Sequence, residues 1–179
     1  MTRTMPRLLL WLIVTFLLTM AITARPCQAA LNEKQEAVYQ KTVTLVKSIT
    51  KSSDSKAKKL KKCMKYLKKN TRYGHPRNMK KVAKLKNWDV TYANDILKRK
   101  RGDCVSLSAM FGYMAKACGY KKVRIVCTGS HGYVVIGKRF YAPCWTIYYP
   151  SMRSYNQPYP YSSSAASFSK SSEKYVVKL

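Results

Sequence analysis

The feature that most constrains this chain is a change of hydrophobic period at Gly119. Before it, apolar residues recur every three or four positions; after it, they recur every two. Residues 31–52 carry Ala37, Val38, Val43, Leu45, Val46 and Ile49 at helical spacings. Residues 55–70 put Leu60, Met64 and Leu67 on one stripe and lysines over the remaining surface. Asp54 reads as the cap of that helix. Residues 89–99 predict a further short helix. Gly102-Asp103 opens another, which runs to about Ala117 and closes at Gly119, with Asp103 as its cap. Beyond it, Val123–Cys127, His131–Ile136 and a segment begun by Arg139-Phe140-Tyr141 read as strands, with a tight turn at Gly137-Lys138. Helices followed by a small antiparallel sheet make an α+β fold.

The ends of the chain differ from this middle. Residues 1–29 have the layout of a secretory signal peptide. Arg3 and Arg7 precede an apolar run, Leu8 to Ile22, and Cys27-Gln28-Ala29 places small residues at a cleavage site. The run is shorter than the roughly 20 residues a membrane span requires. A domain then occupies residues 30–145, with helices over 31–100 and the core over 101–145. The tail, residues 146–179, holds nine Ser and six Tyr. Ser162 to Ser172 reads as a flexible loop, and Tyr175–Leu179 as a returning last strand.

Charge narrows the partners. The chain carries 35 Lys+Arg against 7 Asp+Glu, yet 46% of its residues are hydrophobic, so a core forms beneath a cationic surface. Twenty of the cations and three of the acids fall within residues 47–101. Such a surface favours an anionic wall polymer or membrane face. Export argues against nucleic acid and places the protein outside the cell, at its surface. Cleavage after Ala29 leaves five cysteines, Cys63, Cys104, Cys118, Cys127 and Cys144, an odd number. Four of them form two bridges or serve as small buried hydrophobes. Cys104 and Cys118 lie about 21 Å apart along one helix and cannot pair. There is no phosphate loop, HExxH or paired CxxC. Two histidines and scattered cysteines point to no metal and no cofactor. His75 beside Pro76 reads as a loop residue. Trp88 and Trp145 read as core, with cleft lining as the alternative.

Cys104 is the residue with chemistry to offer. It begins a helix, where free N–H groups and the helix dipole favour a thiolate, while the Asp103 charge opposes one. His131 opens a strand 27 residues later. A helix start and a strand start so placed can face each other, the arrangement of a Cys–His acyl-transfer pair.

The surrounding pattern resembles a known family. Lys98 to Cys104 is similar to the "L-x-x-[KR]-x-G-[DTV]-C" segment of the transglutaminase-like superfamily, a papain-type fold. Leu107, Phe111, Met114 and Gly119-Tyr120 follow at the spacing of that family's helix. His131 to Pro143 is similar to its "H-[AS]-W-V-x-[IV]-x-G-x-x-Y-D-P" block. Asp54 to Tyr73 resembles its lead-in helix, and with its leader the chain resembles the secreted bacterial type of the family. The resemblance implies Cys104 as nucleophile and His131 as general base and then acid. It implies thiol-dependent acyl transfer or hydrolysis on a protein or peptide amide. The family's third residue, an Asp that orients the imidazole, falls on Ala142. Either another polar group does that work, with Asn156 and Gln157 as candidates, or the fold serves as a binding module for a polyanionic surface. Another class of cell-wall cysteine peptidase also places Cys after Asp at a helix start. The short Cys–His interval and the lead-in helices argue against it.

Overall fold

The computed structural model describes residues 30–74 and 76–179. The predicted leader, residues 1–29, and the predicted loop residue His75 lie outside the described residues. Helix α1 (Glu33–Ile49) begins at Asn32, whose side chain accepts the Gln35 N–H while Gln35 accepts the Asn32 N–H. Helix α2 (Lys56–Asn70) begins at Ser55, whose hydroxyl accepts the Lys58 N–H. The expected cap, Asp54, stands one residue too early. Its carboxylate accepts the Lys51 N–H and pairs with Lys58 and Lys62. Lys62, the Lys51 N–H and Lys58 hold it well below the usual carboxylate range. Leu60, Met64 and Leu67 face inward as predicted, and Cys63 joins them.

Strand β1 (Arg72–Tyr73) and a short helix α3 (Met79–Val82) lead to α4 (Trp88–Asn94). The predicted 89–99 helix is thus α4 plus one π-helical turn, Asp95–Arg99, which buries Asp95 and Ile96. Lys100 then turns the chain with a left-handed backbone, φ 54°, into β2 (Arg101–Gly102), which pairs in parallel with β1.

Helix α5 (Cys104–Ala117) is the hub, buried at every position from Cys104 to Lys116. Its sequence is apolar or small on all faces, and such a helix is stable only when surrounded. It packs on α1, α2 and α4, and on strands β3 (Val123–Cys127) and β4 (Gly132–Ile136). Gly119, at φ 89°, closes it.

The sheet continues with β5 (Arg139–Tyr141). Helix α6 (Pro143–Tyr148) follows, then β6 (Gln157–Pro158), a hairpin of β7 (Tyr161–Ser162) and β8 (Ser167–Phe168), and β9 (Tyr175–Lys178). Strand order is β6-β5-β4-β3-β9, antiparallel throughout. The returning strand is where the pattern placed it, pairing Ile125 with Val177. The Ser-rich segment is not a loose loop. Tyr161 and Phe168 are buried against Phe140, with ring centroids 4.3 and 5.6 Å away. Two of its serines satisfy the local backbone: Ser163 binds both the N–H and the carbonyl of Ala166, and Ser172 does the same for Ser169. Glu173, paired with Arg124 at 2.7 Å, ties the segment to β3.

Candidate functional site

Asp103 builds the start of α5. It is fully buried, and its Oδ1 accepts the N–H groups of Val105 and Ser106, each at 2.9 Å. Its Oδ2 accepts the Arg77 N–H. The Arg77 guanidinium in turn grips Asp95 through two 2.6 Å bonds, and Ser106 lies between the two carboxylates. This buried network latches the 76–78 segment and the π-turn onto the helix end that carries Cys104. Sequence reasoning missed it, because nothing in the spacing of Arg77, Asp95 and Ser106 marks them as neighbours.

Gly132 sets the distance between helix and strand. A Cβ there would lie 2.6 Å from Val105 Cα, 2.9 Å from Val105 N and 3.0 Å from the Cys104 carbonyl oxygen. Only glycine lets β4 cross the helix start so closely. The residue before it, His131, therefore arrives at the mouth of the same cleft as Cys104. The cleft has a volume of about 480 Å³. Cys104, His131, Cys144 and Trp145 form its floor and wall, and Tyr73, Tyr148 and Tyr149 are among its rim. Those three tyrosines are exposed at 46%, 37% and 59%, an aromatic surface collected in one place. Trp145 took the cleft-lining role; Trp88 is core.

The imidazole of His131 is held by rings. Trp145 stacks on it at 4.4 Å and 23°, and Phe168 at 5.6 Å and 19°. Its Nε2 is buried and has no hydrogen-bond partner. Burial pushes its pKa down to about 4. Ala142, where the family pattern carries Asp, is wholly buried and heads α6 without a side-chain cap. Neither predicted substitute reaches His131. Asn156 accepts from Arg139 and Tyr141, and Gln157 donates to the Tyr155 carbonyl. Both are committed to the β5–β6 edge, on which Asn156 fixes Tyr141. Phe168, from the tail, is the ring that sequence reasoning missed.

Burial, then the Asp103 charge, push the Cys104 thiol up to about 12, against a lowering by the Gly132 N–H. The helix start does not produce the thiolate expected there; desolvation outweighs the dipole. Both groups therefore rest uncharged in the cleft, one a thiol and the other an imidazole. Among the described residues no three His, Cys, Asp or Glu side chains cluster as metal ligands, and no helix is long and apolar enough to cross a membrane.

A family model described as the transglutaminase-like superfamily matches residues 43–156. The chain belongs to the transglutaminase-like superfamily. The match runs from the second half of α1 to Asn156 and includes Cys104, its helix and His131. No curated protein and no solved structure matches the chain. The α+β architecture with its small antiparallel sheet is that of a transglutaminase-like domain. What lies beyond the matched residues completes this transglutaminase-like core: β9 extends the sheet, and Phe168 contacts His131.

Proposed function

We propose that this transglutaminase-like protein performs thiol-dependent acyl transfer on an amide, with Cys104 as nucleophile and His131 as general base and acid. The observation that carries the reading is the shared cleft: Gly132 lets the strand that carries His131 cross directly over the helix start that carries Cys104. His131 takes the Cys104 proton as the sulfur attacks the amide carbon. The tetrahedral intermediate collapses to a thioester, and His131 returns the proton to the departing amine. Water as second acceptor gives hydrolysis, and a primary amine gives cross-linking. Because the pair rests uncharged, proton transfer is coupled to attack and does not precede it. The Trp145 and Phe168 faces hold the ring in place of a carboxylate, and the imidazolium that forms is stabilised by neither a carboxylate nor solvent. We propose further that the protein is exported and kept at an anionic wall or membrane surface by its lysines, which supplies substrate by proximity.

Ammonia release from a carboxamide-bearing peptide, with and without a primary amine, tests the reading. Release that is lost in both Cys104→Ala and His131→Ala supports it. A folded protein that releases none, with Cys104 alkylated indifferently to His131, supports a second reading, which the alanine at 142 and the unpartnered Nε2 favour. On that reading the domain is a non-catalytic binder of anionic surface polymers. Its retention on such a polymer would then fall steeply with salt.

A further inference from the structure

Two buried sulfur atoms lie apart from the cleft. Cys63, in the middle of α2, and Cys118, the residue that caps the C-terminal end of α5, stand with their Sγ atoms 3.7 Å apart. Both side chains belong to the core, and their residues are 55 apart in sequence. Cys118 is 14 positions from Cys104, at the opposite end of the helix. The Cys63 thiol and Lys59 hold the Cys118 thiol below its ordinary range. The partners of the pair are thus fixed by packing, whereas the cysteine count alone left every pairing open.

We infer that Cys63 and Cys118 form a disulfide when the chain folds in the presence of a disulfide oxidant. The sulfurs need to close by about 1.6 Å to reach bonding distance, which side-chain rotation and a small shift of α2 supply. The bond forms by thiol–disulfide exchange. The Cys118 thiolate attacks oxidised glutathione and releases one glutathione thiolate. The Cys63 thiolate then attacks the mixed disulfide at the Cys118 sulfur and releases the second. Two protons leave the protein, and its two electrons end on two molecules of reduced glutathione. The product staples α2 to the C-terminal end of the helix whose first residue is Cys104. It also leaves Cys104 out of the bond, so oxidising conditions do not consume the cleft thiol by this route. The inference stands independently of any catalytic activity.

The full chain is unfolded, reduced, refolded in a buffer of oxidised and reduced glutathione, alkylated, and digested with trypsin without reduction. The sequence places a basic residue on each side of both cysteines, so trypsin frees Cys63-Met64-Lys65 and Ala117-Cys118-Gly119-Tyr120-Lys121 as separate peptides. The expected product is these two joined, two hydrogens lighter than their sum. The Cys104→Ala protein gives the same linked peptide. Reduction lowers Tm by on the order of 10 °C, given the length of loop that the bond closes. Recovery of Cys63 and Cys118 as alkylated thiols, or either one joined to a different cysteine, overturns the inference. A linked peptide with no change of Tm on reduction overturns the stapling role.

Discussion

The burial of His131 makes the stability of this protein depend on pH in a way that a single substitution isolates. In the folded chain the imidazole titrates at about 4, against 6.5 for a free histidine. At about 1.4 kcal/mol per pH unit, protonating it costs about 3 kcal/mol more in the folded state than in the unfolded one. The sign follows from proton counting. The unfolded chain binds the proton first, so stability is whole above about pH 6.5 and drains as pH falls towards about 4. His131→Gln keeps a planar polar side chain of similar size and removes the titration. Urea unfolding of both proteins across this window measures the effect. The difference in unfolding free energy between them should change by about 3 kcal/mol from neutral to acid, with wild type losing more. Contributions common to both proteins cancel in the difference. Parallel profiles would refute the reasoning, because they would mean that water or a partner reaches Nε2.

Other perturbations test the neighbouring contacts. Gly132→Ala drives a methyl into the backbone of Val105 and Cys104; a loss of about 1–3 kcal/mol is expected in thermal or urea unfolding, and activity, where assayed, should fall about 10²-fold from displacement of the pair. Phe168→Leu uncovers the His131 ring, so NMR titration should show its pKa rising from about 4, with about 1–2 kcal/mol of stability lost. Cys104 alkylation should keep rising with pH well beyond neutrality, with no plateau near pH 7. Asp103→Asn removes the nearest negative charge and should move that alkylation profile to lower pH, while α5 stays capped, because Asn serves as well as Asp at that position.

Legibility in the sequence varied with how local the determining forces are. The lysine-dressed stripe of α2, the Asp103 cap and the alternating strands are set by residues within a turn or a strand of one another, and all three stood in the pattern. Cys104 and His131 were legible only because the family's spacing joined them; the chemistry of each alone is weak. Asp54 and Ser55 are both competent caps, and Asp54 is taken up instead by the Lys51 N–H, Lys58 and Lys62. The tail was misread because serine-rich composition signals solvent. Here one aromatic in each strand of the hairpin anchors the segment, and neighbouring serines satisfy its backbone. The loss of the orienting carboxylate was legible at Ala142. What stands beside the imidazole instead was not, since Phe168 comes from 37 positions along the chain.

The Trp145–His131 stack has an optical consequence. An indole in face contact with an imidazole is quenched strongly once the ring becomes a cation and only weakly while it is neutral. With 4.4 Å between the two centroids, Trp145 emission carries the charge state of His131. The protein thus holds an intrinsic fluorophore against the imidazole of its cleft. Proton arrival at the cleft can be followed by light, on the timescale of mixing, without a label and without knowing the substrate.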